Sequence, residues 1–181
     1  MNVTPTAIAD VLVIEPRVHG DHRGYFMETW RKSEMESLGI FEEFVQDNQS
    51  KSLQNTLRGL HYQLKHPQGK LVRVLAGQIF DVAVDLRKNS KSFAHWVGEI
   101  LSAENSKQLW VPAGFAHGFY VLSDSAEIAY KCTGYYDAED DRSLLWNDPE
   151  LAIDWPLLDE QPLLSEKDRT ACPLSKAAVY Q

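Results

Sequence analysis

Histidine and basic side chains come close together in one short stretch of the chain. The motif RGLHYQ contains Arg58 and His61, and Lys70 follows shortly after it. An imidazole near a guanidinium and an ammonium can combine proton transfer with recognition of an anion. Strand alternation places Arg58 and His61 on opposite faces, so a shared pocket requires a bulge or a strand end, for which Gly59 is a permissive residue. Taken alone, the motif is also compatible with a purely structural role for His61.

A second histidine, His117, stands in the motif PAGFAHGF. This motif resembles the turn signature of cupin barrels, in which the proline and glycine shape a turn and the histidine points into the barrel. Metal-binding cupins carry an HxH pair earlier in the chain, but the corresponding stretch here reads HYQLK, and its lysine would repel a cation. We therefore expect no metal site and a hydrogen-bonding role for His117 in the pocket.

A tyrosine lies on a segment with strand-like alternation. AEIAYKCTGYY predicts a strand with Ala126, Ile128, Tyr130 and Cys132 on one face. A tyrosine beside small neighbours leaves room for a ligand and offers a phenolic proton. Aromatic residues also pack well on strands, so Tyr130 by itself fits a core position equally well.

Polar residues in two earlier stretches could contact a nucleotide. Arg23 in RGYFMETW could hold a phosphate, and Gln46 and Asn48 in FVQDNQS could contact a base or a sugar. Each of them also fits a solvated strand face. The chain has no Walker, GxGxxG, GxSxG or HExxH motif, which argues against P-loop, dinucleotide, serine-hydrolase and zincin chemistry.

Composition and charge limit the classes of partner. The chain has 181 residues, 44% of them hydrophobic, which suits one domain with a sizeable core. Its 18 basic and 26 acidic residues give a net charge of -8, which argues against nucleic-acid binding. No apolar stretch approaches the about twenty residues that span a bilayer, and no leader is evident, so we expect a cytoplasmic, non-membrane protein. Cys132 and Cys172 lack CxxC spacing, and we expect two reduced thiols.

Short runs rich in Val, Ile, Phe and Tyr, separated by Gly, Asn, Asp and Ser, predict an all-β sandwich or barrel. The predicted strands are Val11–Glu15, Gly24–Thr29, Glu43–Asn48, Leu57–Gln63, Lys70–Ala76, Gln78–Leu86, His95–Leu101, Gln108–Val111, Gly118–Leu122 and Glu127–Tyr135. In FDVAVDL, most of the apolar residues alternate with Asp81 and Asp85 and so lie on the opposite face of the strand. This pattern predicts a strand with one buried and one exposed face.

Two short peripheral helices are expected where capping-box patterns occur. One pattern begins at Ser33 and predicts a helix as far as Leu38, and a second begins at Ser165 with Asp168 in its last position. Prolines break the periodicity of residues 137–181, so this segment should wrap the β core and not form a second domain.

Longer motifs follow one another along nearly the whole chain, namely RGYFMETW, FVQDNQS, RGLHYQ, QGKLVRVLAGQIFDVAVDLR, PAGFAHGFYVLS, AEIAYKCTGYY, LLWNDP and LSEKD. In content and order they resemble the dTDP-4-dehydrorhamnose 3,5-epimerase family. The resemblance implies a cupin-like jelly-roll β sandwich that acts as a homodimer, without metal or redox cofactor, on dTDP-4-dehydro-6-deoxy-D-glucose. It implies dTDP-4-dehydro-β-L-rhamnose as the product.

The resemblance also assigns roles in catalysis. His61 is the base that removes a proton next to the C4 ketone, and Asp168 is hydrogen-bonded behind it to fix the tautomer. Tyr130 is the acid that returns a proton on the opposite face. Lys70 stabilises the enolate oxygen that forms at C4, and His117 assists at the sugar.

Further residues match the family's nucleotide and diphosphate contacts, and these are Arg23, Phe26, Glu28, Gln46, Asn48, Arg58 and Lys167. By the same resemblance, Arg23 and Glu28 come from the partner subunit, and Tyr136 lines the nucleotide site. Many relatives carry a glutamate in the loop after the double tyrosine, whereas this chain has Asp140 and Asp141. Asp141 is expected to make that contact with a shorter side chain.

Three other interpretations stay open at this point. A sister enzyme that inverts only C3 or only C5 of a related dTDP-4-keto-deoxysugar would share the same acid and base. A non-catalytic cupin that binds a sugar nucleotide would be expected to lack one of them, and both are present. A metal-dependent cupin oxygenase would need the HxH pair that is missing here.

Overall fold

Antiparallel β-strands make up most of the regular structure of this chain, whose computed structural model describes residues 1–181. The strands are β1 (Asn2–Pro5), β2 (Leu12–Glu15), β3 (Val18–Asp21), β4 (Gly24–Met27), β5 (Gln46–Leu53), β6 (Leu57–Gln63), β7 (Lys70–Ala76), β8 (Gln78–Asp85), β9 (Trp96–Ser102), β10 (Gln108–Val111), β11 (Phe115–Val121), β12 (Ser125–Cys132) and β13 (Asp141–Ser143). The helices are α1 (Lys32–Ser37) and α2 (Glu166–Arg169), and a 3-10 turn follows at Leu174–Lys176. Neither helix is long and apolar enough to cross a membrane.

Two sheets pack face to face. The six-stranded sheet has the order β1-β2-β10-β7-β12-β5, and the five-stranded sheet has the order β13-β6-β11-β8-β9. The hairpin of β3 and β4 belongs to neither sheet. A cluster of 16 buried apolar residues joins the inner faces, with Val72 and Ile128 from the first sheet and Phe119 from the second. The all-β prediction and the cupin-like jelly roll implied by the resemblance are confirmed.

The segment after β12 covers the outer face of the five-stranded sheet. Leu60, Val82 and Tyr120 of that face belong to the same buried cluster as Leu144 and Trp155 from the C-terminal segment. Strand β13 pairs with β6 at the edge of the sheet. This packing brings α2 against β6, which places the only buried acid of that helix next to a strand that carries a histidine.

Strand β8 differs from its prediction because it is buried on both faces. Asp81 and Asp85 are each 0% exposed. Their side of the strand faces the interior of the sandwich, where Asp81 pairs with His117 and Asp85 pairs with Arg87. The apolar side is covered by the C-terminal segment. The half-buried interpretation is therefore wrong, since the alternation here separates two buried environments and not core from water.

The two helices start differently from one another. Helix α1 begins one residue before Ser33, and its N-cap residue, Arg31, makes no side-chain capping bond. The predicted capping box at Ser33 is wrong, because Met35 packs into a buried cluster and that contact sets the position of the helix. Helix α2 follows its prediction, since the Ser165 hydroxyl accepts a hydrogen bond of 3.1 Å from the Asp168 backbone N–H.

Candidate active site

His61 forms a partly buried acid–base pair with Asp168. His61 Nε2 lies 2.5 Å from Asp168 Oδ1, and Asp168 is only 2% exposed. The Ser165 hydroxyl donates a hydrogen bond of 2.7 Å to Oδ2 of the same carboxylate. Burial alone would raise the pKa of Asp168, but hydrogen bonds from the imidazole, the serine and the Gly59 amide outweigh it and hold that pKa below its usual value. Asp168 therefore stays ionised behind the histidine.

A bulge in β6 turns Arg58 and His61 toward the same side of the sheet. His61 is opposite His117 on β11, whereas Arg58 is opposite Phe119. Strand β6 therefore has one more residue than β11 between these pairs, and the extra residue brings Arg58 into phase with His61. Gly59 lies at this point with a φ of +124°, and a Cβ there would meet the β11 backbone at 2.5 Å. The bulge that the sequence analysis requires for a shared pocket is present.

Lys70 and Tyr130 reach the same cavity from the opposite sheet. On the six-stranded sheet, Lys70 is opposite Cys132 and Val72 is opposite Tyr130, so these four side chains share the inner face. His61, Lys70 and Tyr130 line one cavity of about 320 Å³. A base, an ammonium and a phenol thus meet in one place although they are supplied by two different sheets.

Burial shifts the titration of both inner-face groups toward their neutral forms. Burial lowers the pKa of the Lys70 ammonium, and nearby acidic groups act in the opposite direction. Burial raises the pKa of the Tyr130 hydroxyl, against which Arg58 acts. A tyrosine with a raised pKa keeps its proton near neutral pH, as a general acid must.

A larger depression of about 410 Å³ lies on the outer face of the six-stranded sheet, lined by residues that include Trp30, Arg73 and Lys131. Tyr130 lines it as well, but no histidine does, and His61 and Lys70 line only the smaller cavity. We therefore assign the chemistry to the smaller cavity, on the basis of its side chains and not its size.

His117 lies beside the acid–base pair and has a carboxylate partner of its own. His117 Nε2 is 2.7 Å from Asp81 Oδ1, and both residues are buried. His117 is directly opposite His61 across the two strands, so the two imidazoles belong to one face. His117 is not among the residues that line the 320 Å³ cavity, and its expected role in the pocket stays a prediction.

Polar residues form a continuous chain of hydrogen bonds at one edge of the cavity. Gln46 Nε2 donates to Asn48 Oδ1 at 3.0 Å, and Gln46 Oε1 accepts the Tyr136 backbone N–H at 3.0 Å. The Tyr136 hydroxyl donates to Asp141 Oδ2 at 2.9 Å, and the Lys167 ammonium contacts the same oxygen. All of these residues except Lys167 line the cavity. The structure therefore brings this predicted group together beside the acid–base residues.

Arg58 and the β3–β4 hairpin have other surroundings. Arg58 is exposed, and its Nε donates to the Ser52 hydroxyl at 3.0 Å. Arg23 pairs with Asp21, Glu28 pairs with Arg31, and the Phe26 side chain is 70% exposed. None of the three predicted hairpin residues, Arg23, Phe26 and Glu28, lines the 320 Å³ cavity of its own chain.

The sequence analysis missed three polar residues of this region. Asp81 was assigned to a solvated face, and only the contact with a distant strand reveals its partner. Gln63 joins two loops, because its amide donates to the His66 carbonyl at 2.8 Å and its Oε1 accepts the Asp137 N–H at 2.9 Å. Cys132 lines the cavity, and its place on the Tyr130 face was the one available signal. No group of three or more His, Cys, Asp and Glu side chains is placed to hold a metal ion.

Comparisons with known proteins place this chain among sugar-nucleotide epimerases. The family model for dTDP-4-dehydrorhamnose 3,5-epimerase matches residues 5–176. The chain is 58% identical to a dTDP-4-dehydrorhamnose 3,5-epimerase of Pseudomonas aeruginosa over 181 residues, covering 99% of each. It resembles the structure of a dTDP-6-deoxy-D-glucose-3,5-epimerase from Legionella pneumophila in complex with dTDP-4-keto-L-rhamnose, with a TM-score of 0.95, 54% identity and coverage of 98% and 94%. A 3'-monoepimerase from Streptomyces bikiniensis in complex with dTDP-quinovose is more distant, with a TM-score of 0.87, 33% identity and coverage of 94% and 87%.

Proposed function

The chain belongs to the dTDP-4-dehydrorhamnose 3,5-epimerase family, and on this premise we propose that it inverts C3 and C5 of dTDP-4-dehydro-6-deoxy-D-glucose. The product is dTDP-4-dehydro-β-L-rhamnose, and the reaction belongs to dTDP-L-rhamnose biosynthesis. The observation that carries the proposal is a single cavity in which a histidine–carboxylate pair accompanies an ammonium and a phenol.

His61 acts as the base. The C4 ketone acidifies the protons on C3 and C5, since removal of either gives an enolate whose charge rests on the C4 oxygen. The Nε2–H of His61 donates to Asp168, which leaves the basic lone pair on Nδ1. Asp168 then stabilises the imidazolium that forms when His61 takes the proton, as carboxylates do in other histidine pairs.

Lys70 and Tyr130 complete each inversion. The Lys70 ammonium stabilises the enolate oxygen at C4, which is the charge that develops in the transition state. The Tyr130 hydroxyl then gives its proton to the same carbon from the opposite face, and the carbon is inverted. Return of the proton from His61 to solvent and reprotonation of Tyr130 restore the starting state for the second carbon.

The nucleotide lies along the polar edge of the cavity. Gln46 and Asn48 offer amide groups to the base and sugar, and Tyr136 offers an aromatic face for the thymine ring. Arg58 and Lys167 supply positive charge for the diphosphate. Asp141 holds Lys167 in position. It also contacts the nucleotide, through a side chain shorter than the glutamate that many relatives carry there.

The active form is a homodimer in which the hairpin reaches the partner's site. Arg23, Phe26 and Glu28 lie on or directly after β4, away from the cavity of their own chain, and Tyr25 and Phe26 are 66% and 70% exposed. Apolar exposure of this size on a hairpin outside both sheets suits an interface. The enzyme needs neither metal nor redox cofactor, because the C4 ketone of the substrate itself acidifies the protons on C3 and C5. The two cysteines form no disulfide, which suits a protein of the cytoplasm.

The alternative that keeps specific support is inversion at C3 alone. It rests on the likeness to the 3'-monoepimerase, which is weaker in identity than the likeness to the 3,5-epimerases. The two activities share an acid and a base and differ in how the ring is held.

Proton NMR in D2O tests the proposal. Purified protein is incubated with dTDP-4-dehydro-6-deoxy-D-glucose, with and without EDTA, and the C3 and C5 proton signals are followed beside an enzyme-free control. Loss of both signals with formation of the L-sugar is the expected result, and EDTA should not change its rate. Loss of the C3 signal alone selects the monoepimerase, and loss of neither contradicts catalysis on this substrate.

A further inference from the structure

A buried carboxylate beside the nucleotide edge has no part in the mechanism above. Asp140, in the loop between β12 and β13, is 2% exposed, and its Oδ2 accepts the backbone N–H groups of Lys65 and His66 at 2.8 Å each. Both donors belong to the loop between β6 and β7. Burial alone would raise the pKa of Asp140, but the bonds from these N–H groups outweigh it and hold that pKa below its usual value. An ionised carboxylate therefore holds two loops together through strong, charge-assisted hydrogen bonds.

Gln63, the last residue of β6, makes a second connection between the same loops. Its Nε2 donates to the His66 carbonyl at 2.8 Å and to the Tyr135 carbonyl at 3.2 Å, and its Oε1 accepts the Asp137 N–H at 2.9 Å. The Asp140 N–H donates to the Asp137 carbonyl at 3.2 Å, which closes a turn. The turn at residues 137–140 is thus held against the β6–β7 loop at both of its ends.

The residues on either side of this turn belong to the nucleotide edge. Tyr136 and Asp141 line the cavity, and the Tyr136 hydroxyl donates to Asp141 Oδ2 at 2.9 Å. Their other bonds, to Gln46 and Lys167, are made with groups that the proposed function assigns to the nucleotide, so a bound nucleotide can replace them. The bonds of Asp140 go to backbone N–H groups of residues outside the cavity lining and do not compete with the nucleotide.

We propose that Asp140 is a positioning residue for nucleotide binding: it fixes the 137–140 turn, so that Tyr136 and Asp141 are already arranged to receive the nucleotide before it arrives. This inference rests on the proposed function, which places the nucleotide along Tyr136 and Asp141. Groups that are ordered in advance lose less conformational entropy on binding, so the effect falls on affinity.

The variant Asp140→Ala removes both hydrogen bonds to the β6–β7 loop, and its effect should appear in KM and not in kcat. We expect the Kd for dTDP, measured by calorimetry, and the KM, measured by NMR turnover, to rise about tenfold. The value of kcat should stay within about threefold of wild type, since His61 and Tyr130 lie on strands that pair with a neighbour on each side. A purely structural role would lower the midpoint of thermal unfolding without moving the Kd of the folded protein.

Two further variants separate the position of the carboxylate from its charge. Asp140→Asn can still present one oxygen to the two N–H groups, but its amide N–H groups would lie where Oδ1 is buried without a hydrogen-bond partner, so its Kd should be intermediate. Glu139→Gln removes one negative charge from the same loop at an exposed side chain, and its Kd should equal the wild-type value. A Kd for Asp140→Ala within about twofold of wild type overturns the proposal, and so does an equal rise in Glu139→Gln.

Hydrogen exchange tests the proposal without a variant. In the ligand-free wild-type protein, the Lys65 and His66 amides should exchange slowly, because the arrangement is present before the nucleotide binds. Fast exchange that becomes slow only with dTDP overturns the proposal, whether or not Asp140→Ala folds. Wild-type protein that binds dTDP and shows this protection, but leaves C3 and C5 unchanged, contradicts the proposed reaction and not this inference.

Discussion

Replacing Asp168 with asparagine should disable the base while leaving the cavity in place. In the wild-type protein, a carboxylate with a pKa below its usual value accepts the His61 N–H at 2.5 Å. Loss of a hydrogen bond to a charged group costs about 1.5–3 kcal/mol, or about 10- to 150-fold in rate. An amide can also donate to Nε2, which moves the imidazole proton to Nδ1 and removes the lone pair from the reacting nitrogen. Together these effects predict a loss of kcat on the order of 10²- to 10⁴-fold.

The assay is wash-in of deuterium at C3 and C5 by NMR, with dTDP affinity measured alongside to show that the nucleotide edge is intact. Ser165→Ala is the matched control, because it removes one hydrogen bond to the same carboxylate and leaves the charge. Its kcat should stay within about tenfold of the wild-type value, with a loss of about 1 kcal/mol in the free energy of unfolding from the missing helix cap. An Asp168→Asn protein that binds dTDP and retains kcat within about threefold of wild type would refute the role given to this pair.

Three further predictions concern the acid, the bulge and a buried ion pair. Tyr130→Phe should lower kcat on the order of 10²- to 10⁴-fold with dTDP affinity unchanged, measured by NMR turnover and calorimetry, and wild-type turnover would exclude Tyr130 as the acid. Gly59→Ala should lower the midpoint of thermal unfolding, because its Cβ would meet the β11 backbone at 2.5 Å and its φ is +124°; an unchanged midpoint would show that the bulge tolerates a side chain. Burial alone would raise the pKa of Asp85, but hydrogen bonds, chiefly from Arg87, lower it to about 2. Its contribution of about 2 kcal/mol is then complete above pH 4 and lost as pH falls toward 2, so Asp85→Asn should flatten the pH dependence of unfolding in that window.

The local sequence pattern was enough to locate the strands that carry most of the candidate site residues. Strands β6, β7 and β10 begin and end at the predicted residues, and turn-forming residues such as Asn55, Gly77 and Pro112 stand close to their ends. Strand β5 was placed too early, on the apolar residues before Gln46, because the polar stretch that follows becomes a strand only by pairing with β12. Strands β1, β3 and β13 were missed for the same reason, since short or exposed strands depend on their partners more than on their own residues.

Within the site, the sequence analysis selected the residues to which the proposed function assigns proton transfer and enolate stabilisation, but not all of those that surround them. His61, Lys70 and Tyr130 stand in recognisable motifs, and the structure brings them to one cavity. Asp81 could not be found in the same way. It alternates with apolar residues, which predicts an exposed position, and its partner, His117, lies on a strand far along the chain. Alternation reports that two faces differ, but it does not report whether either face meets water.

The proposed base and acid, His61 and Tyr130, are carried by opposite layers of the sandwich, and the distance between them is set by the packing of the apolar side chains that separate the layers. Sandwich layers stand about 10 Å apart, and a single methylene in such a core is enough to change the fit of neighbouring atoms. A substitution at Phe119, which belongs to the buried cluster against which Tyr130 packs, can thus alter how far each carbon of the ring lies from the proposed proton donor. In this fold, a change in the volume of core side chains can therefore change which carbons are inverted, even when every residue that contacts the sugar is retained.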